Sequence, residues 1–192
     1  IRSVLEKKGH KFRTNSDTEV IIHAYEEYGD DCVQKFNGDF AFAIWDTERK
    51  ELFAARDRIG VKPFYYWQQG RVFLFGSEIK AILQDKSFER SVNVTALYNY
   101  LSRVSVWGNE SIFNGIKCLP PAHILRFKNG ELKLKCYWDF NFSQTLDFPE
   151  KEYADAIYDS FCKSVKRRLI SDVPVGAFLS GGVDSSAIVA VM

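Results

Sequence analysis

The period of the apolar positions changes several times along this 192-residue chain, and each change predicts an element. Leu5 lies in a helical stretch that Gly9 closes as a C-cap. Ser16-Asp17-Thr18-Glu19 has the S-x-x-E spacing of a capping box, and Val20, Ala24 and Tyr28 recur at helical spacing before Gly29. This predicts a helix over Asp17–Tyr28. From Phe40 the period shortens. Aromatic and β-branched runs at 40–45, 52–55, 64–67 and 72–75, broken by a polar turn at 46–50 and by Gln69-Gly70, predict two hairpins of one antiparallel meander. Short helices are expected over 77–83 and 93–101. Runs at 124–127 and 132–137 pair through Asn129-Gly130, the residues a type I′ turn demands.

Residues 140–149 (FNFSQTLDFP) show no period and read as a linker. After them Ala154, Ile157, Phe161, Val165 and Leu169 mark one face of a helix beginning near Glu150. An apolar run over 173–179, a glycine turn and a second helical run follow. Helix, strand, turn and helix is the grammar of a parallel α/β sheet, whereas everything before the linker is antiparallel hairpins. The fold class therefore reads as α+β followed by α/β, with domains at 1–139 and 150–192 joined by 140–149.

Composition changes this picture little. Hydrophobic residues make up 46% of the chain, ample for a core, and the formal charge of +1 is spread along it. That balance gives no footprint for nucleic acid or an anionic membrane surface. No apolar run approaches the roughly 18 residues of a membrane span. Cys32, Cys118, Cys136 and Cys162 form no C-x-x-C pair and read as buried, reduced thiols of a cytoplasmic protein. His10, His23 and His123 are scattered, without the spacing of a zinc motif.

The chemistry concentrates at Ser180-Gly181-Gly182-Val183-Asp184-Ser185-Ser186. The string follows an apolar run and opens a helix, the context in which backbone N–H groups and a helix N-terminus bind an anion. Gly181 and Gly182 allow close backbone approach, the hydroxyls of Ser180, Ser185 and Ser186 can donate to phosphate oxygens, and Asp184 is placed to hold Mg²⁺. A Walker loop is absent. Asn37-Gly38 reads as a turn into the strand that follows, and Arg56, Asp57, Arg58 and Lys62 as a solvated or internally salt-bridged turn.

The glycine string resembles the signature of the ATP pyrophosphatase (PP-loop) family. "SDTEVIIHAYEEYGDDC", "FNGDFAFAIWD", "ARDRIGVKPFYY" and "GSEIKAIL", in this order, resemble the class II (N-terminal nucleophile, Ntn) glutaminase domain of glutamine-hydrolysing asparagine synthetases, and "LPPAHILRF", "YWDF" and "SDVPVGAFLSGGVDSS" continue the likeness into a synthetase domain. The resemblance implies an enzyme using glutamine, aspartate, ATP and Mg²⁺, with no nucleic acid or membrane partner, and leaves room for a homodimer. It implies that Asp17 holds the glutamine α-amino group, that Leu179 meets ATP through backbone atoms, and that Ser180, Gly181, Gly182, Val183, Asp184, Ser185 and Ser186 hold the pyrophosphate, with Asp184 on the metal. The family's N-terminal cysteine, its carboxylate-binding arginine and its oxyanion Asn-Gly would all precede Ile1. The chain accordingly reads as an internal piece of a longer protein, inactive by itself. Two alternatives stay open: an amide-forming relative of the β-lactam synthetase type with another acyl substrate, and a non-catalytic relic.

Overall fold

Turn chemistry sets each hairpin locally, but the strands assemble into two sheets rather than one meander. The computed structural model describes residues 1–143 and 147–192 and divides into two units, Ile1–Phe140 and Asn141–Met192. The middle of the expected linker, residues 144–146, lies outside the described residues.

The first unit opens with helices α1 (Arg2–Lys7), α2 (Asp17–Tyr28) and α3 (Cys32–Lys35). Strands β1 (Ala41–Asp46), β2 (Glu51–Arg56), β3 (Tyr65–Gln69) and β4 (Val72–Gly76) follow, then helices α4 (Ile79–Ile82) and α5 (Val94–Arg103). Strands β5 (Lys117–Cys118), β6 (His123–Lys128) and β7 (Glu131–Cys136) complete it. One sheet has the order β1-β2-β6-β7 and the other β4-β3-β5, all antiparallel. The second edge of β2 is taken by β6 from far along the chain, with Leu52 opposite Phe127 and Ala55 opposite Ile124.

Alternation along β2 explains the layers. Phe53 and Ala55 point to one side, into a core with Leu5, Ala24, Cys32, Val33 and Phe36 of the helical layer. Ala54 points to the other side, joining Phe64, Tyr66, Leu119 and Leu125 between the two sheets. There Phe73 stacks on Phe127 with centroids 4.7 Å apart. The outer face of the second sheet buries Trp67, Ile82, Phe88 and Ile116. Arg126 ties the helical layer to the first sheet, pairing with Asp30 and with Glu51 and lying 5.5 Å from the Phe53 ring.

The β6–β7 turn uses φ of 53° at Asn129 and 87° at Gly130, both positive, as type I′ requires. This tip meets the tip of the other sheet's hairpin. Gln68 Nε2 donates to the Gly130 carbonyl at 2.6 Å, and a Cβ on Gly130 would lie 3.1 Å from the Gly70 carbonyl oxygen.

The segment after β2 corrects the expectation of a solvated or salt-bridged turn. Asp57 is 2% exposed, and its carboxylate accepts from backbone N–H groups of Ile59 (3.2 Å), Val61 (2.9 Å) and Lys62 (2.9 Å). Its own N–H donates to the Phe40 carbonyl at 2.8 Å, and its carbonyl accepts from Ala122 N at 2.9 Å. The Arg56 guanidinium donates to the carbonyls of Lys62 (2.7 Å), Leu119 (2.6 Å) and Gly60 (2.6 Å). Each charge serves backbone groups that the turn leaves unpaired.

In the second unit, helices α6 (Glu150–Arg168) and α7 (Val183–Val191) flank an extended stretch. The strand expected over 173–179 does not form. Extended backbone becomes a strand by pairing, and this unit contains no strand among its described residues; Phe178 is fully exposed. The apolar stripe of α6 is present, yet Ile157 is exposed and Val165 buried. Among the described residues no helix is long and apolar enough to cross a membrane.

Replacing Asp57 by Ala removes the buried charged acceptor that three backbone donors of the turn share. The expected loss is about 3 kcal/mol or more in chemical denaturation, with Asp57→Asn losing roughly half as much. An unchanged unfolding midpoint in Asp57→Ala would contradict the role of the carboxylate.

Candidate functional site

Two places carry the candidate residues, one in each unit. In the first, Ser16 caps α2, its Oγ accepting from Thr18 N at 3.1 Å. The reciprocal half of the expected capping box does not close. Glu19 turns upstream instead and accepts from Arg13 N (2.7 Å), Thr14 N (2.7 Å) and the Thr14 hydroxyl (2.6 Å). From the other side Arg2 donates to the carbonyls of Thr14 (2.7 Å) and Ser16 (2.9 Å), its guanidinium 4.3 Å from the Phe12 ring.

Residues 13–16 are thus clamped between Arg2 and Glu19, and Asp17 is delivered exposed on the first turn of α2. Among the described residues its carboxylate receives a 3.4 Å contact from the Thr18 hydroxyl, so most of its acceptor capacity faces solvent. Such a carboxylate can take an ammonium group by charge-assisted hydrogen bonds. Arg2 and Glu19 escaped the sequence reading. Glu19 stood in the right motif with the wrong partner, and the contacts of Arg2 span a loop no local pattern predicts.

In the second unit Gly181 adopts φ of 82°, a conformation side chains rarely tolerate, and Gly182 precedes the first turn of α7 in extended geometry. The turn brings Ser180 Oγ within 3.0 Å of Ser185 Oγ, and the Ser185 hydroxyl donates to the Gly182 carbonyl at 3.0 Å. Both hydroxyl hydrogens are therefore used inside the loop, and a phosphate oxygen would have to take one over. The N–H groups of Val183, Asp184 and Ser185 start the helix, ahead of its first intrahelical bond from Ser186 N to the Gly182 carbonyl at 3.0 Å. Asp184 is exposed beside them, and Leu179, expected in a buried strand, is 61% exposed. A carboxylate with neighbouring hydroxyls is a hard, all-oxygen donor set, which fits Mg²⁺.

The family model described as glutamine amidotransferase domain matches residues 1–138. The chain belongs to this glutamine amidotransferase family. The amidotransferase domain is followed by a match to the asparagine synthase model over residues 156–192. The chain is 47% identical over 192 residues to asparagine synthetase (glutamine-hydrolyzing) 3 of Bacillus subtilis, covering 100% of this chain and 31% of that protein. It is 37% identical over 195 residues to asparagine synthetase (glutamine-hydrolyzing) 1 of the same organism, covering 100% and 30%. Amidase chry2 of Gibberella zeae is 34% identical over 188 residues, covering 93% and 26%. The chain spans about a third or less of the length of these relatives.

The four cysteines are free thiols, but not all are buried as composition suggested: Cys136 is exposed, and Cys118 and Cys162 are half-buried. Burial, reinforced by the Asp30 charge, pushes the Cys32 thiol of the amidotransferase domain up to about 12, which leaves it unreactive. The histidines are not all scattered either. The fold brings His10 and His23 together, with Nδ1 atoms 3.3 Å apart, while His123 bonds separately to the Pro121 carbonyl at 2.7 Å.

The Thr14 hydroxyl and the Arg13 N–H hold the Glu19 carboxyl down from 4.5 to about 2. A depressed carboxyl adds stability above its unfolded value, and that stability is lost as pH falls from about 4.5 toward 2. The protection of the Arg13 and Thr14 amides relative to their intrinsic exchange rates should therefore fall across this window in the wild type. In Glu19→Gln that protection should already be low at neutral pH; protection equal to wild type in that variant would contradict the clamp.

Proposed function

We propose that this chain is part of a glutamine-hydrolysing asparagine synthetase, with a class II (Ntn) glutaminase domain over 1–139, a linker over 140–149 and the start of a PP-loop synthetase domain over 150–192. One observation carries the reading: an amidotransferase domain is followed on the same chain by Ser180–Ser186 at the N-terminus of α7, an arrangement suited to a polyphosphate. Likeness over the whole chain to two bacterial proteins of that name supports it.

In this reading the exposed Asp17 carboxylate binds the α-amino group of glutamine, whose hydrolysis yields ammonia. The second domain binds ATP, with Leu179 against the nucleotide through backbone atoms. The N–H groups of Val183, Asp184 and Ser185, the hydroxyls of Ser180, Ser185 and Ser186, and the open backbone at Gly181 and Gly182 receive its pyrophosphate portion. The aspartate side-chain carboxylate attacks the α-phosphorus and pyrophosphate leaves, giving β-aspartyl-AMP. Ammonia then attacks the acyl carbon, and AMP departs with the electron pair of the broken bond. The first-turn N–H groups of α7, outside its hydrogen-bond ladder, need no reorganisation as charge builds on the leaving group, whereas the Ser180 and Ser185 hydroxyls must exchange a partner within the loop for a phosphate oxygen. Asp184 would hold Mg²⁺, which when bound neutralises part of that charge. The reading includes a cytoplasmic enzyme, with a homodimer compatible with it. A second reading, amide chemistry on another acyl group, is supported by the 34% identity to an amidase.

Two substitutions in the full-length protein test the assignment. Asp184→Ala should lower aspartate-dependent pyrophosphate release by about 100-fold or more while glutaminase activity stays. Pyrophosphate release at the wild-type rate sinks the metal assignment; release that depends on a carboxylic acid other than aspartate favours the second reading. Asp17→Ala should raise the glutamine KM about tenfold or more, the loss of a charge-assisted contact, and leave ammonia-dependent synthesis intact. An unchanged KM removes Asp17 from the site.

A further inference from the structure

The amidotransferase domain carries a second cluster with its own chemistry, where the loop after α1 crosses α2. His10 comes from that loop, and His23 and Glu26 lie one turn apart on α2. His10 Nε2 is 3.1 Å from Glu27 Oε2, and His23 Nε2 is 3.7 Å from Glu19 Oε1. For His10 the carboxylate at Nε2 favours the proton on that nitrogen and leaves Nδ1 as a lone-pair donor, the way outer carboxylates orient metal-bound histidines; His23 has a carboxylate on each side, the nearer one, Glu26, at Nδ1. The two Nδ1 atoms nevertheless face each other at 3.3 Å, and Glu26 Oε2 stands 2.8 Å from that of His23 and 3.5 Å from that of His10. Three atoms able to donate electron pairs converge on one point, where a cation shared among them would satisfy all three.

We propose that His10 Nδ1, His23 Nδ1 and Glu26 Oε2 bind a divalent transition ion of the zinc class. The geometry favours a metal. Tetrahedral zinc with ligand bonds of about 2.0–2.1 Å requires ligand-to-ligand separations of about 3.3 Å. The three edges here, 3.3, 2.8 and 3.5 Å, bracket that value. The charge fits as well: Glu19, Glu26 and Glu27 surround two imidazoles, with the Lys8 ammonium, paired to Glu27 at 2.5 Å, as the adjoining cation. Phe12 packs edge-on against His23 at 4.7 Å and shields one side, while the two imidazoles are mostly covered and Glu26 is about half exposed. Three protein ligands leave the fourth position to water. The ion would pin the loop after α1 onto α2, and Glu19 would link it to the clamp on residues 13–16.

The test is a Zn²⁺ titration of the chelator-stripped full-length protein in competition with a chromogenic chelator. Asp184→Ala serves as the background, so that the proposed Mg²⁺ position and this site are read separately. One tight equivalent should remain in Asp184→Ala. It should weaken about 100-fold or more in His10→Gln or His23→Gln, and about tenfold in Glu27→Gln, which removes only the carboxylate behind His10. Zinc K-edge absorption of wild-type protein with one equivalent should show two imidazoles and oxygen ligands, a readout that needs no variant to fold. A shell of thiolates or of oxygen alone, or an undiminished affinity in the His10→Gln/His23→Gln double variant, overturns the site. So does the finding of no tight equivalent, which would mean that a shared proton bridges the two rings.

Discussion

The first unit is organised around a carboxylate that makes no salt bridge among the described contacts. Asp57 gathers three amides of its own turn, while its backbone joins the approach to β1 at Phe40 and the start of β6 at Ala122. Its neighbour Arg56 faces the opposite need and collects carbonyls from Gly60, Lys62 and Leu119. Adjacent opposite charges thus do not neutralise each other. Each disperses its charge over peptide dipoles that a tight reversal would otherwise leave without partners in the chain. The reversal sends the chain out of the first sheet and into the second, which leaves one edge of β2 open for β6. The layered core, with Phe53 on one side and Ala54 on the other, follows from that diversion.

What the sequence made legible was what short range decides. The Asn129-Gly130 turn, the hairpins on either side of the reversal and the helix from Asp17 to Tyr28 are encoded by neighbouring residues. The division into two sheets was hidden because the pairing of β2 with β6 depends on residues far apart, and a charged run such as Arg56–Lys62 reads the same whether it is solvated or buried. The apolar run over 173–179 has strand character in composition, but ladder partners make a strand. The candidate residues followed the same rule. The serine-glycine string was found through its motif and Asp17 through a family resemblance, whereas the partners of Glu19, the reach of Arg2 and the meeting of His10 with His23 come only from folding.

These hidden contacts converge on the start of α2. A clamp of Arg2 and Glu19 steadies the residues leading to Asp17, and Glu19 also stands behind His23. The amidotransferase domain therefore sets the exposed Asp17 carboxylate on a steadied approach, as its proposed role in binding an ammonium group asks. The loop in the second unit is built on the opposite plan. Its hydroxyls satisfy one another, and its first-turn amides remain outside the ladder of α7.

The meeting of the two hairpin tips carries a further consequence. Surface hairpins are ordinarily where a fold accepts insertions, tags and length variation. Here the Gly130 carbonyl is bonded to Gln68, and a Cβ on Gly130 would crowd the Gly70 carbonyl at 3.1 Å, in a backbone conformation that side chains rarely adopt. The two turns act as a clasp between the sheets, so lengthening either one would disengage the other. A boundary that looks open to evolution and to engineering is closed at its tips, and freedom to vary must be sought elsewhere on the domain.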